Sequence, residues 1–346
     1  MSRFSFTGML SNSLKNGLRC GDTKNGNRYE SITLIINQSQ NNSAFVKIFG
    51  YDGSIKTKDK NGNNIEIPFD GCEDKINDIA DYCKFKIIDD TSKSFVSAYN
   101  FASYIKNNID NFNQKNVTVS GYIKYVYYKD KWNPEFIVQK INIHKEEKKP
   151  VLKLNDNIFY EKESFDLSDW KKNKIITIYG YVECKQVESY VPMTFIFDAS
   201  KIDFNNDNMR NLVAWRLLQL GLKLNDDNSI TIKISRGIYA SNVICKYING
   251  AEEIPFDESQ LTENQKYAIK IHAKTIDDFK PKGRIYGDKK TEIRIYDFNT
   301  NDEFANGYII VDKPLDILRE LDKTSQDVSN VNADVKEDDN NEIELF

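Results

Sequence analysis

The sequence predicts a mainly β protein with a few helices, laid out as two small closed barrels in tandem and ending in a disordered acidic tail. Three observations predict it. Apolar and polar residues alternate with period two through the first third, in runs bounded by Asn, Gly and Ser, as expected of strands with one buried face. The later part, from Val151 on, offers more runs of the same kind around one helical stretch. Residues 322–346 hold eight Asp/Glu against two Lys and few apolar side chains, too little to offset the entropy of ordering them.

In order, the first third reads as strands over 3–10, 29–38 and 44–51, a helix over 95–109, then strands over 117–128 and 135–143. Three strands, a helix and two strands is the order of an OB-fold. The helix rests on Phe95, Tyr99, Ala102, Ile105 and Ile109, which share one face, with Thr91–Ser94 supplying caps. Residues 51–94 are then a long insertion after the third strand. With seven basic and ten acidic residues, it is expected to border a binding surface without forming its floor.

The run HKEEKKP over 144–150 ends in proline, which cannot continue a strand, and reads as a linker. The expected domains are therefore 1–149, 150–321 and the tail 322–346. In the second, strands are expected over 175–185, 193–198, 230–236 and 291–298. A helix is expected over 208–220, with Leu212, Trp215, Leu218 and Gln219 on one side. Two echoes point to duplication: NGNNIEIPFD (61–70) with NGAEEIPFDE (249–258), and VTVSGYIKYV (117–126) with ITIYGYVECK (176–185). They fall in a different order along the two halves, so a second, rearranged OB-like barrel is expected.

Composition narrows the function. The five cysteines are scattered with no C-x-x-C pair, and His144 and His272 are the only histidines. No disulfide framework, zinc site, phosphate loop or nucleophile–base pair is written in these residues, so no enzyme, cofactor or metal is expected. No apolar run approaches membrane-spanning length and no signal-peptide core opens the chain; a soluble, cytoplasmic protein is expected. The chain carries 48 basic and 52 acidic residues. The acidity belongs to the tail, leaving the remainder slightly basic and suited to an anionic ligand.

Sorting each strand into alternate faces locates where that ligand would lie. The third strand buries Ala44, Val46 and Ile48 and turns Phe45, Lys47, Phe49 and Tyr51 outward. The fourth turns out Tyr122, Lys124 and Tyr128, followed in the turn by Lys129, Lys131 and Trp132. Flat aromatic rings interleaved with cations suit unpaired bases and their phosphates. Phe45, Phe49, Tyr51, Tyr122, Tyr128 and Trp132 are the expected stacking residues. Arg3, Arg28, Lys47, Lys124, Lys129 and Lys131 are the expected phosphate contacts.

These residues resemble bacterial and phage single-stranded DNA-binding proteins. FSFTGMLS (4–11), NGNRYESITLIINQ (25–38) and AFVKIFGY (44–51) are similar to that family's glycine-bearing first strand, its Asn-Gly turn into a Thr-Leu strand, and its aromatic third strand. The end, DDNNEIELF (338–346), resembles the family's acidic tail with an apolar tip. By that resemblance Asp338, Asp339, Glu342, Ile343, Glu344, Leu345 and Phe346 would recruit replication or recombination proteins, or compete for the DNA groove. The tip departs from the family's in having no proline before its Phe.

The expected function is non-catalytic, largely sequence-independent binding of single-stranded DNA in phage or plasmid replication or recombination, by a monomer or small homo-oligomer. Stacking is indifferent to the sugar, so RNA is admitted as well. The alternative is a structural or interaction protein, such as a virion component, whose aromatic face is a protein interface.

Overall fold

The first strand, β1 (Arg3–Ser11), buries Phe4, Phe6 and Leu10 and turns Arg3 and Met9 outward, with Thr7 also covered where β9 and β11 flank it. The computed structural model describes residues 2–11, 17–23, 26–185, 187–251, 253–254, 261–271, 273–279, 285–300 and 307–311. The acidic tail expected over 322–346 lies outside them.

The first barrel is formed by β1, β3 (Arg28–Ser39), β4 (Asn42–Tyr51), β9 (Asn116–Tyr128) and β10 (Lys131–Ile143). Antiparallel ladders join β1 to β3, β3 to β4, β10 to β9 and β9 to β1, and a parallel contact of β4 with β10 at Val46↔Phe136 closes the ring. This is the OB arrangement, reached because each strand has one uninterrupted apolar row to bury. A short strand, β2 (Leu18–Asp22), lies along β3.

Helix α1 (Ala98–Asn107) plugs one end of the barrel with Phe101, Ala102 and Ile105. It is shorter than expected and its cap is Ser97, not a residue of 91–94; Ser97 Oγ accepts from the amides of Tyr99 and Asn100. Phe95 lies instead in a strand, β8 (Lys93–Phe95). Gly50 allows the close approach of helix and sheet, since a Cβ there would stand 2.2 Å from the Tyr99 amide nitrogen.

The insertion contains a hairpin, β5 (Ile55–Lys58) with β6 (Asn64–Ile67), and a strand, β7 (Phe85–Ile88), parallel to β10. Its Ile67, Cys72 and Ile79 form a small core with Val96, just before the helix. It packs on the start of α1: the Glu73 carboxylate accepts from the amides of Val96 and Ser97 and from the Asn100 side chain, at 2.9, 3.2 and 2.8 Å, and Phe69 meets Tyr99 edge to face. A carboxylate at this position complements the helix dipole.

The second barrel repeats the first in the same order, so the expected rearrangement is not found. Its strands are β11 (Val151–Tyr160), β13 (Ile175–Cys184), β14 (Ser189–Asp198), β17 (Ile238–Gly250) and β20 (Lys290–Phe298). Here β13 pairs with β11 and β14, β17 with β11 and β20, and β14 runs parallel to β20 at Ile196↔Arg294. Between them come β12 (Phe165–Asp166), which pairs with β13, and the four-residue helix α2 (Trp170–Asn173). The helix after the third strand, α3 (Asp207–Leu218), buries Val213 and Leu217, whereas Leu212, Trp215 and Leu218 are exposed. The strand expected over 230–236 shrinks to β16 (Ile230–Ile232), paired with β15 (Leu222–Leu224) off the barrel.

The echoes do not mark the duplication. Residues 117–126 lie on the fourth strand of the first barrel and 176–185 on and just past the second strand of the second. The stretch 61–70 belongs to the insertion, while 249–258 begins at the end of β17 and runs partly outside the described residues.

The barrels are joined through their first strands. Arg3–Thr7 of β1 pair antiparallel with Val151–Asn155 of β11, centred on Ser5↔Lys153. Beyond that stretch each strand turns to its own second strand, β1 to β3 and β11 to β13. The halves are thus related by an approximate twofold axis, like two copies paired by their edges. One apolar cluster runs through both, with Tyr247 of the second barrel against Phe6 and Phe136 of the first at 6.1 and 5.0 Å.

A carboxylate sits in this joint. Asp156 accepts from Ser2 Oγ at 2.6 Å and from the Tyr125 hydroxyl, and burial pushes its carboxyl up to about 6. The 144–150 stretch is bound back to the first barrel: His144 Nε2 lies 2.7 Å from Thr118 Oγ1, and the Lys148 amide donates to Asn116.

Candidate functional site

The stripe on β4 is open. Phe45, Phe49 and Tyr51 keep 47 %, 42 % and 48 % of their surface exposed, because the insertion covers the helix end of the barrel and leaves this face bare. Lys47 lies between them, its ammonium 5.8 Å from the Phe49 ring centre and 3.0 Å from Glu135 Oε1 on β10. Contiguous exposed aromatic surface of this kind marks a contact site.

The register extends the stripe across the sheet. Phe45, Lys47, Phe49 and Tyr51 stand opposite Ile35, Thr33, Ser31 and Tyr29 of β3, and Lys47 is beside Ile137 of β10, which is opposite Tyr122 of β9. Tyr122 is in turn opposite Arg3 of β1, whose guanidinium donates to Gln139 at 2.8 Å. Burial, then Glu135, raises the Tyr122 hydroxyl, which stays protonated. Lys124 stands opposite Glu135, and Tyr128 opposite Lys131. Phe45, Lys47, Phe49, Tyr51, Tyr122, Lys124, Tyr128, Lys131 and Arg3 therefore share one face.

Lys129 is at the tip of the β9–β10 hairpin, where it and Asp130 have φ of 52° and 58°. This conformation matches the tight turn that a twisted hairpin prefers. The Lys129 ammonium lies 5.4 Å from the centre of the Tyr128 ring, and Tyr128 is 60 % exposed.

Two expected residues are elsewhere. Arg28 alternates with Tyr29 and so points away from the stripe; its Nε binds Asp52 at 2.7 Å and its guanidinium lies 5.9 Å from the Tyr99 ring centre. That hydrogen bond raises the Arg28 pKa and holds Asp52 below the usual carboxylate range. Trp132 is not in the turn but in β10, on the hairpin's other side, half-buried and edge-to-face with Tyr127 at 5.5 Å.

Two residues missed in the sequence belong to the face. Tyr29 is opposite Tyr51 and 6.0 Å from Phe49, ring to ring. Arg19 of β2 is opposite Ser31, in one cross-strand row with Phe49. Tyr29 lies within the strand expected over 29–38, and its period-two alternation with Ser31 and Thr33 places it on the outward row.

The second barrel carries a different surface at the matching place. Its third strand turns out Thr194, Ile196 and Asp198, and Arg294 of β20 is held by Asp198 and Glu292, each at 2.8 Å. Between this face and the underside of the β9–β10 hairpin is a groove of about 620 Å³. Among the described residues, no group of three or more His, Cys, Asp or Glu side chains could hold a metal ion, and no helix is long and apolar enough to cross a membrane.

No protein-family model matches this sequence, and comparison with curated proteins gives no significant match. Among solved structures, the chain is similar to the wild-type single-stranded DNA binding protein from Thermus aquaticus at 9 % identity and a TM-score of 0.30, over 77 % of this chain and 98 % of that one. A deletion mutant of the same protein matches at 9 % identity and a TM-score of 0.29, over 72 % and 87 %. Similarity at that level equates no individual residue here with one there.

Proposed function

We propose that this protein binds single-stranded DNA without catalysis and with little sequence preference, in phage or plasmid replication or recombination. The observation that carries this reading is the open stripe Phe45–Lys47–Phe49–Tyr51, continued by Tyr29, Tyr122, Lys124, Tyr128 and Arg3 across one barrel face. An unpaired strand presents bases and phosphates side by side. Stacking contributes roughly 1–3 kcal/mol per base and phosphate contacts add a salt-sensitive term. The name of the Thermus protein agrees with this reading without carrying it.

In this proposal residues 1–149 supply the primary face, 150–321 a second barrel fixed beside it, and 322–346 a tail. The tail, ending in Ile343, Leu345 and Phe346, recruits replication or recombination proteins or competes for the groove. The protein acts in the cytoplasm, that of a bacterial host if phage-encoded, as a monomer or small homo-oligomer. RNA is bound by the same stacking.

The test is anisotropy of a labelled oligo-dT across a salt series, with the full chain beside one ending at Leu321. Binding that weakens with salt and strengthens on tail removal is expected; no binding by either chain refutes the proposal.

A further inference from the structure

We propose that the groove between the two barrels is a second base-binding site, taking unstacked bases of the strand that leaves the primary face. This rests on the single-strand-binding reading. One wall is the underside of the β9–β10 hairpin, with Tyr127 and Trp132; the other is the second barrel, with Tyr179, Tyr181, Met193 and Tyr247. At about 620 Å³ the groove falls among pockets that enclose a small molecule, about 300–1,000 Å³, and is roomy for a planar base.

Three features favour a base over an aliphatic guest. Five aromatic side chains, Tyr127, Trp132, Tyr179, Tyr181 and Tyr247, line the groove, and Tyr179 is 56 % exposed. Asn133, Thr194, Thr291 and Glu292 line it too; the Asn133 amide donates to the Tyr128 and Lys131 carbonyls, Thr291 to Asn249, and Glu292 holds Arg294, which leaves the Thr194 hydroxyl and the Asn133 Oδ1 to meet a base edge. The groove is continuous with the primary face, because both belong to one two-stranded hairpin. Tyr128 is on its upper side, Tyr127 and Trp132 on its lower, and Lys131 at the groove's edge. A strand crossing the primary face passes the cations of the turn, Lys129 and Lys131, as it enters. The position at which the second barrel lacks the aromatic stripe of the first is thus where the first barrel's own hairpin leans over it.

Binding is measured for an oligo-dT of about 8 nucleotides, within the span one barrel takes, and one of about 30, beyond it. The wild type, Phe49→Ala, Tyr179→Ala and Tyr179→Phe are compared. Phe49→Ala should weaken both lengths. Tyr179→Ala should weaken only the long one, about tenfold, with Tyr179→Phe like the wild type. In parallel, a Trp170→Phe/Trp215→Phe chain, whose remaining tryptophan is Trp132, should lose fluorescence with the long oligonucleotide only. Wild-type affinity of Tyr179→Ala for the long one, or equal loss on both lengths, overturns the second site while leaving the primary face standing. No binding of either length by the wild type removes both.

Discussion

The two barrels share a strand order and a helix position but differ at the third strand. β4 offers Phe45, Phe49 and Tyr51 with Lys47 among them, whereas β14 offers Thr194, Ile196 and Asp198. The cations differ as well. Lys47 makes a single, partly exposed pair with Glu135, while Arg294 is clamped by two carboxylates and largely covered. A fold of this kind fixes which side chains turn outward and leaves their chemistry free. Under the proposed function the primary face therefore belongs to the first barrel, while the matching position of the second is closed by the pairs of Arg294.

The sharpest way to break that comparison is to strip the aromatic stripe. Phe45→Ala/Phe49→Ala removes two exposed rings without touching the core row Ala44, Val46, Ile48, and should lower affinity for oligo-dT by about 100-fold. Tyr296→Ala removes an exposed ring of β20 and should change it by less than about twofold. Equal losses in titrations of the two variants would show that both barrels bind alike.

The joint between barrels gives the next effect. Asp156 is buried, and its carboxyl is raised from 3.8 to about 6 by desolvation, against the hydrogen bonds from Ser2 and Tyr125. Between those pH values the folded chain holds a proton that the unfolded chain releases. The contribution of Asp156 therefore falls as pH rises from 3.8 to about 6 and stays low above it, a change of roughly 3 kcal/mol. Asp156→Asn should remove that dependence. Carboxylates such as Asp52 and Asp81, held low by Arg28 and Lys86, act in the opposite sense but equally in both proteins. Urea unfolding at several pH values gives the difference in stability; if it does not grow in the variant's favour toward neutral pH, Asp156 does not carry the charge cost.

Much of the first barrel was legible because its strands alternate cleanly, and most of the outward stripe follows from that alternation. The errors came from single-residue slips, which exchange faces. Trp132 was placed in a four-residue turn, but the turn is only Lys129 and Asp130, so Trp132 falls on the underside of β10. In the second barrel, β11 escaped notice because Asp156 sits in its inward row between Leu154 and Ile158. β17 escaped because Ile238–Ser241 are all buried, which erases the alternation. The groove was not legible at all, since its walls are brought together by contacts between residues far apart in the sequence, β1 with β11, Asn42 with Gly250, and Tyr247 with Phe6 and Phe136.

The smallest effects separate cations that face the strand from one that does not. Lys124→Gln should reduce the salt slope of binding by about 0.7, the share of one single-strand phosphate contact. Arg28→Gln should leave it unchanged, because Arg28 is engaged with Asp52 behind the stripe. Glu135 tests the same logic with the opposite sign. It pairs with Lys47 at 3.0 Å and stands opposite Lys124, so it competes with phosphate for both. Such partly exposed pairs are worth about 1 kcal/mol or less, so Glu135→Gln should tighten binding by about two- to fivefold at low salt, and the gain should vanish as salt screens the charge. Weaker binding by Glu135→Gln would mean that Glu135 positions Lys47 for the strand instead of restraining it.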